Sequence, residues 1–311
     1  MLTVHIHPAD RNTQVAAPPP GSLGPDEQWS INRNDKLSQW GFSIYGIRDA
    51  YSGYILDATL LPSSNMSKNA QYFYVCAVYD RQGFPLQLAS NRENEMDLTR
   101  DTQKLFRQMR PLNKTQFKKH SPNVEHRSQK HVGIEIQWST IWRNVLGTFE
   151  KYVAPEEQED FSFDDPVHRV LFHWVTVPVI KSMLEEEVKF HRTYPVRRQR
   201  KKALNPSGGS REDAYHDGFP GASDCLTNLW IMGKEGSQMF EDLLVETQDE
   251  ATLTWWDDDQ EKILETAHAR VFAKLGMCPL LEEIGVAGVW TLFGPMLELV
   301  QAPLEAYFES K

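Results

Sequence analysis

The first residues of the chain carry no hydrophobic period. Residues 1–27 hold Pro18, Pro19, Pro20, Gly21, Gly24 and Pro25 among few apolar positions. That composition predicts a disordered leader, with order beginning near Trp29. Apolar and polar positions then alternate. Gln39 to Asp49 puts Trp40, Phe42, Ile44 and Gly46 on one parity, Tyr54 to Leu61 reads as another strand, and Ile31 and its neighbours form a short strand before both. Three short strands in close succession imply an antiparallel meander. The period then changes. Ser67 is placed to cap a helix reaching about Tyr79, with Tyr72, Val75, Cys76 and Tyr79 on one face. Gly83 to Pro85 makes a turn, Pro85 to Ser90 a fourth strand, and a helix follows from about Met96 to Met109. A further helix starts near Ile134, where Trp138, Trp142 and Val145 make a core stripe. The order β-β-β-α-β-α predicts a mixed-sheet α/β domain over residues 28–153.

The second half reads differently. Ala154 to Asp165 contains six acids and a proline and is expected to be a linker. Asp165 and Pro166 then form an N-cap and first-turn proline for a helix to about Phe190, with a kink expected at Pro178. Gln260 to Leu275 and Val289 to Phe308 are amphipathic, with Trp290, Leu292, Phe293, Met296 and Val300 turned inward. No strand pattern occurs here, so residues 166–311 are expected to form an all-helical C-terminal module.

Composition narrows the function classes. Of 311 residues, 40% are hydrophobic and 11% aromatic, which supplies a sizeable core. Apolar runs are broken by charge or proline well before 18 residues, so no membrane span is expected, and Met1 to Asp10 lacks the apolar core of a signal peptide. Cys76, Cys225 and Cys278 are odd in number and far apart, which points to a reducing compartment, nucleus or cytoplasm. With a net charge of −10, any contact with DNA needs a local basic patch. Asp97 to His131 offers one: Arg100, Lys104, Arg107, Arg110, Lys114, Lys118, Lys119, Arg127 and Lys130 stand against three acids. It reads either as a surface for a nucleic-acid backbone or as a solvated face and loop. Arg197, Arg198, Arg200, Lys201 and Lys202 fall within six residues and suit a nuclear import signal, a phosphate contact or a solvated helix end. Glu241 to Glu265, by contrast, holds ten acids and one lysine.

In a sheet of this order, Asn32 on the first strand, Asn91 ending the fourth and Glu135 opening the later helix converge at one end of the central strands. Several segments in order carry a resemblance around them: Trp29-Ser30-Ile31-Asn32-Arg33-Asn34-Asp35-Lys36-Leu37, Gly46-Ile47-Arg48-Asp49-Ala50-Tyr51-Ser52-Gly53-Tyr54-Ile55, Ser90-Asn91-Arg92-Glu93-Asn94-Glu95 and Ile134-Glu135-Ile136-Gln137-Trp138. Asp165 to Trp174 and Leu204 to Ser210 extend it. The chain resembles the integrase-core, ribonuclease-H-like DDE superfamily, and is most similar to the transposon-derived integrase cores of mushroom-forming fungi. The resemblance implies a ribonuclease-H-like mixed sheet and an ancestral role in DNA integration by strand transfer. It also implies a site where three carboxylates hold two Mg²⁺ ions. That family reads Asp where Asn32 and Asn91 stand, and a small Gly where Arg33 and Glu93 stand.

Asn32, Asn91 and Glu135 are therefore read as a degenerate triad, with Mg²⁺ binding expected to be lost and no cofactor retained. The leading expectation is a catalytically inactive integrase-core protein that still binds nucleic acid or protein, located in the nucleus or otherwise the cytoplasm. A second reading is an active Mg²⁺-dependent integrase or nuclease rebuilt on Glu135, Asp49 and Glu93. A third is a folded gene fragment without function. The histidines show no metal-ligand spacing, and Ser207-Gly208-Gly209-Ser210 lacks the ending of a phosphate loop.

Overall fold

The computed structural model describes residues 24–109, 121–126, 138–154, 158, 161–197, 208–217, 227–228, 233–275 and 280–311. Five strands form one mixed sheet: β1 (Gln28–Asn34), β2 (Phe42–Asp49), β3 (Ile55–Pro62), β5 (Gln87–Asn91) and β6 (Asn123–His126), in the order β3-β2-β1-β5-β6. β1 to β3 pair antiparallel, as the close succession of short alternating segments predicts. β1 pairs parallel with β5, and β5 with β6, across the crossovers made by α1 (Met66–Arg81) and α2 (Asp97–Met109). This is the ribonuclease-H-like mixed sheet that the resemblance implies. A two-residue ladder joins β4 (Gly83–Phe84) to β7 (Thr227–Asn228), so the half expected to be all-helical contributes one short strand.

The sheet divides the interior. On one face Trp29, Ile31, Tyr45, Ile47 and Leu88 pack with Phe73, Tyr74, Val78 and Phe106 of α1 and α2, and with Phe240. On the other, Phe42, Ile44, Ile55 and Leu60 pack beneath Trp138, Phe149, Phe172 and Val179. Further helices follow among the described residues: α3 (Gly147–Val153), α4 (Pro166–Thr193), α5 (Arg211–His216), α6 (Gly233–Glu250), α7 (Asp258–Leu275) and α8 (Gly285–Glu309). Leu264 of α7 and Leu292 of α8 belong to the same cluster as Phe42 and Ile44. The acidic stretch at 154–165 therefore separates elements in sequence but does not separate two cores. Of that stretch, residues 155–157 and 159–160 lie outside the described residues. Its Phe161 packs against Phe172, Trp290 and Phe293.

Several local expectations need correction. Burial begins before Trp29: Asp26 and Glu27, assigned to the leader, are 5% and 6% exposed. Residues 1–23 lie outside the described residues. Ser38–Trp40 is a short 3-10 turn rather than the start of β2, closed by Gly41 at φ 82. The N-cap position of α1 is Asn65 rather than Ser67, without a side-chain capping hydrogen bond, and the inward residues of α1 include Phe73, Tyr74, Ala77 and Val78. Tyr79, expected on the buried face, is 46% exposed and stacks on Phe240 of α6. α4 starts as expected, with Asp165 accepting from the Val167 and His168 N–H groups ahead of Pro166 at N1, and it continues as helix through Pro178.

Candidate functional site

The parallel register sets the site. Gln28, Trp29 and Ser30 lie beside Gln87, Leu88 and Ala89, and the same offset brings Asn32 level with Asn91. Parallel neighbours at one level turn to the same face, and here the two amides meet: Asn91 Nδ2 donates to Asn32 Oδ1 at 2.8 Å. The same Asn32 oxygen accepts the Arg33 N–H at 2.9 Å. Asn91 Oδ1 is buried without a hydrogen-bond partner. Across the antiparallel pair, Asn32 faces Gly46. A Cβ at Gly46 would come within 2.8 Å of the Trp138 ring, so that indole lies against the β2 backbone beside the Asn pair. Trp138 opens the described part of a helix, residues 138–141, that passes through a π-turn at Trp142–Leu146 into α3. Glu135 and Ile134, just upstream, lie outside the described residues, as does the side chain of Trp142.

Two arginines brace the site from behind. Arg100 of α2 donates to the Asn91 carbonyl at 2.8 Å and the Glu93 carbonyl at 3.2 Å, and pairs with Asp97. It therefore fixes the turn that leaves β5. Arg33 points to the opposite face from Asn32, where its Nε meets Glu95 Oε1 at 2.8 Å. Burial would lower the Arg33 pKa, but the Glu95 hydrogen bond and charge outweigh it and raise it. Glu93 is held above the ordinary carboxylate range by burial and then by the adjacent Glu95.

The basic segment does not present its charge as the sequence suggests. Arg100 and Arg107 are 6% and 4% exposed, turned into the packing of α2, so neither faces a phosphate backbone. Their charge offered no sign of this, because burial followed from the 3.6-residue period through Phe106 rather than from residue type. Lys104 is exposed and pairs with Asp101 at 2.7 Å. Arg110, Lys114, Lys118, Lys119, Arg127 and Lys130 lie outside the described residues. So do Arg198, Arg200, Lys201 and Lys202, while Arg197 is exposed.

Asp49 is not part of this site. It sits across from Trp29, three residues along β2 from Gly46 and on the other face. Its carboxylate accepts from the Asp26 N–H at 2.9 Å and from both the Ser52 N–H and hydroxyl at 2.6 Å. Burial raises its pKa against those hydrogen bonds. The turn it ties joins β2 to β3, so a metal site rebuilt through Asp49 does not fit this geometry.

Residues 22–206 match the integrase core domain family. The chain belongs to the integrase core family. The match runs past the acidic stretch through α4, and shows the integrase core without distinguishing the narrower fungal group. No curated protein matches the chain. Integrase cores normally work with Mg²⁺, a hard ion that wants anionic oxygen ligands. The two positions in hand are amides hydrogen-bonded to each other, and among the described residues Asn91 Oδ1 has no hydrogen-bond partner. Among the described residues no group of three or more His, Cys, Asp or Glu is placed to hold a metal. As neutral amides, Asn32 and Asn91 do not fit the anionic donor set of a Mg²⁺ pair.

Proposed function

We propose that this chain is an integrase-core protein that keeps the ribonuclease-H-like scaffold and nucleic-acid binding but has lost metal-dependent strand transfer. The observation that carries the reading is the direct Asn91-to-Asn32 hydrogen bond at 2.8 Å where the family places two carboxylates. Two-metal catalysis requires that both the attacking and the leaving oxygen be stabilised by cations held in place. Replacing each carboxylate by an amide removes one negative charge a few ångströms from a dication. At intermediate dielectric that forfeits on the order of several kcal/mol per position. Glu135 alone supplies one charge, too few for a pair. Arg33 and Arg100 keep the strand ends in register without any metal, so the frame survives the loss of its chemistry.

Calorimetric titration with Mg²⁺ and Mn²⁺ tests the reading. The natural chain is expected to give no two-site binding, whereas Asn32→Asp with Asn91→Asp recovers Mn²⁺ binding and nicking of a DNA end. Two-site binding by the natural chain that disappears in Glu135→Gln would overturn the proposal. The basic run from Arg197 to Lys202 adds a nuclear location to this reading. A fluorescent fusion that stays nuclear after those five bases become alanine would count against it.

A further inference from the structure

A groove of about 710 Å³ opens along the helix that carries Trp138. Its lining includes Lys36, Ser139, Arg143, Lys151 and Tyr152. Ser139, Arg143, Gly147 and Lys151 recur every four residues, so they share one stripe of the helix. Lys36 closes the other wall. It leaves β1 four residues after Asn32. Among the described residues the lining holds three cations and no acid, in a chain whose net charge is −10. Arg143 and Lys151 form no ion pair among the described residues. Lys151 Nζ lies 5.3 Å over the Tyr152 ring, and that ring is 54% exposed. Glu150 and Asp35 neighbour the groove in sequence without lining it.

We propose that this groove binds single-stranded nucleic acid, with Lys36, Arg143 and Lys151 on the phosphates and one unpaired base stacked on Tyr152. The inference deepens the nucleic-acid part of the reading above and rests on it. At an α-helical rise, the twelve steps from Ser139 to Lys151 would span roughly 18 Å, room for about five stacked nucleotides. A row of cations with no acid among its described lining residues attracts any polyanion. The exposed aromatic at its end favours a strand whose base faces are free, because a paired base cannot lay its face on Tyr152. No metal enters this contact, so it stays available to a core whose metal positions are amides.

Fluorescence anisotropy of the full chain with labelled oligo-dT, and with a duplex of equal length, tests this in EDTA at low salt. The chain is expected to bind oligo-dT more tightly than the duplex. Arg143→Ala with Lys151→Gln should weaken oligo-dT at least tenfold and flatten the log–log salt slope by about 1.4, two counterions' worth for a single strand. Tyr152→Ala should weaken oligo-dT about tenfold, within the range for one stacked base, and leave the duplex unchanged. All three side chains are exposed, so wild-type circular dichroism and melting are expected of the variants. Binding indifferent to these substitutions overturns the proposal, as does equal affinity for duplex with Tyr152→Ala silent. Displacement of oligo-dT by poly-glutamate at matched charge would reassign the groove to an acidic polypeptide. Running in EDTA keeps this result separate from the metal calorimetry: Mg²⁺ binding there would sink the silent-site reading and leave the groove standing.

Discussion

Asp26 shows how much one residue outside any periodic pattern can do. It adopts a left-handed backbone at φ 60, and its carboxylate accepts from the Trp29 indole at 2.6 Å and the Tyr215 hydroxyl at 2.9 Å. Burial, then the neighbouring Asp49, raise its pKa to about 6. A carboxyl raised in the folded state adds stability that is fully present below about pH 4 and lost as pH rises through 6. A rise of that size corresponds to about 3 kcal/mol. His173 works the other way. Burial lowers it to about 4 while its Nε2 donates to the Trp40 carbonyl at 2.8 Å, so its contribution is lost as pH falls from about 6.5 through 4. Burial and nearby arginines lower His191 similarly, to about 3. Asp26→Asn keeps a side chain that tolerates the left-handed backbone. Urea unfolding at pH 4.5, 5.5 and 7 is expected to show wild type losing stability relative to the variant as pH rises. Parallel profiles would refute the assignment. None of this was legible in the sequence, where Asp26 sits among prolines and glycines. The Asn32–Asn91 meeting was legible, because a strand order and a parallel register suffice to place it.

Elements were read well where one period dominated and poorly where two neighbours shared a helix. β1, β3 and α2 lie within a few residues of their expected bounds. α1 does not bury the face its sequence suggests, because it packs against the sheet, α2 and α6 together. Its Asn69 side chain donates to the Pro62 and Ser64 carbonyls and accepts the Thr252 N–H at 2.8 Å, a polar tie that hydrophobic spacing cannot announce. Contact between β2 and the Trp138 helix depends on a missing side chain. Trp138 Cη2 would stand 2.8 Å from a Cβ at Gly46, so the indole can cover the backbone opposite Asn32 only because that position is glycine. Gly46→Ala should therefore cost about 1–3 kcal/mol, the range for overpacking a filled core. It should also change Trp fluorescence in the folded state, as the helix is pushed off the sheet. Unchanged urea midpoint and emission would mean that the indole has room to move.

At the scale of the molecule, the C-terminal helices are a layer of the core rather than an appendix to it. Phe42 of β2 touches Phe149, Phe172, His173 and Trp255, drawing on helix 138–153, α4 and the segment before α7. Trp255 Nε1 donates to the Gly41 carbonyl at 2.8 Å, and Arg192 at the end of α4 donates to the Ile55 and Leu56 carbonyls of β3. A sheet must cover both faces with apolar partners, and helix 138–153 alone is too small to cover Phe42, Ile44, Ile55 and Leu60. The acidic stretch after Val153 suggested a boundary because its composition is that of a linker, and composition does not report which face a following helix will bury. A fragment of residues 24–153 should accordingly expose that face and associate, with weak near-ultraviolet circular dichroism and no cooperative transition. The full chain should unfold in one transition, because α4, α7 and α8 share their core with the strands. Size-exclusion chromatography and thermal melts of the two proteins decide it: a monomeric, cooperatively melting fragment would mean that the sheet closes its own core and the helical half is a second domain after all.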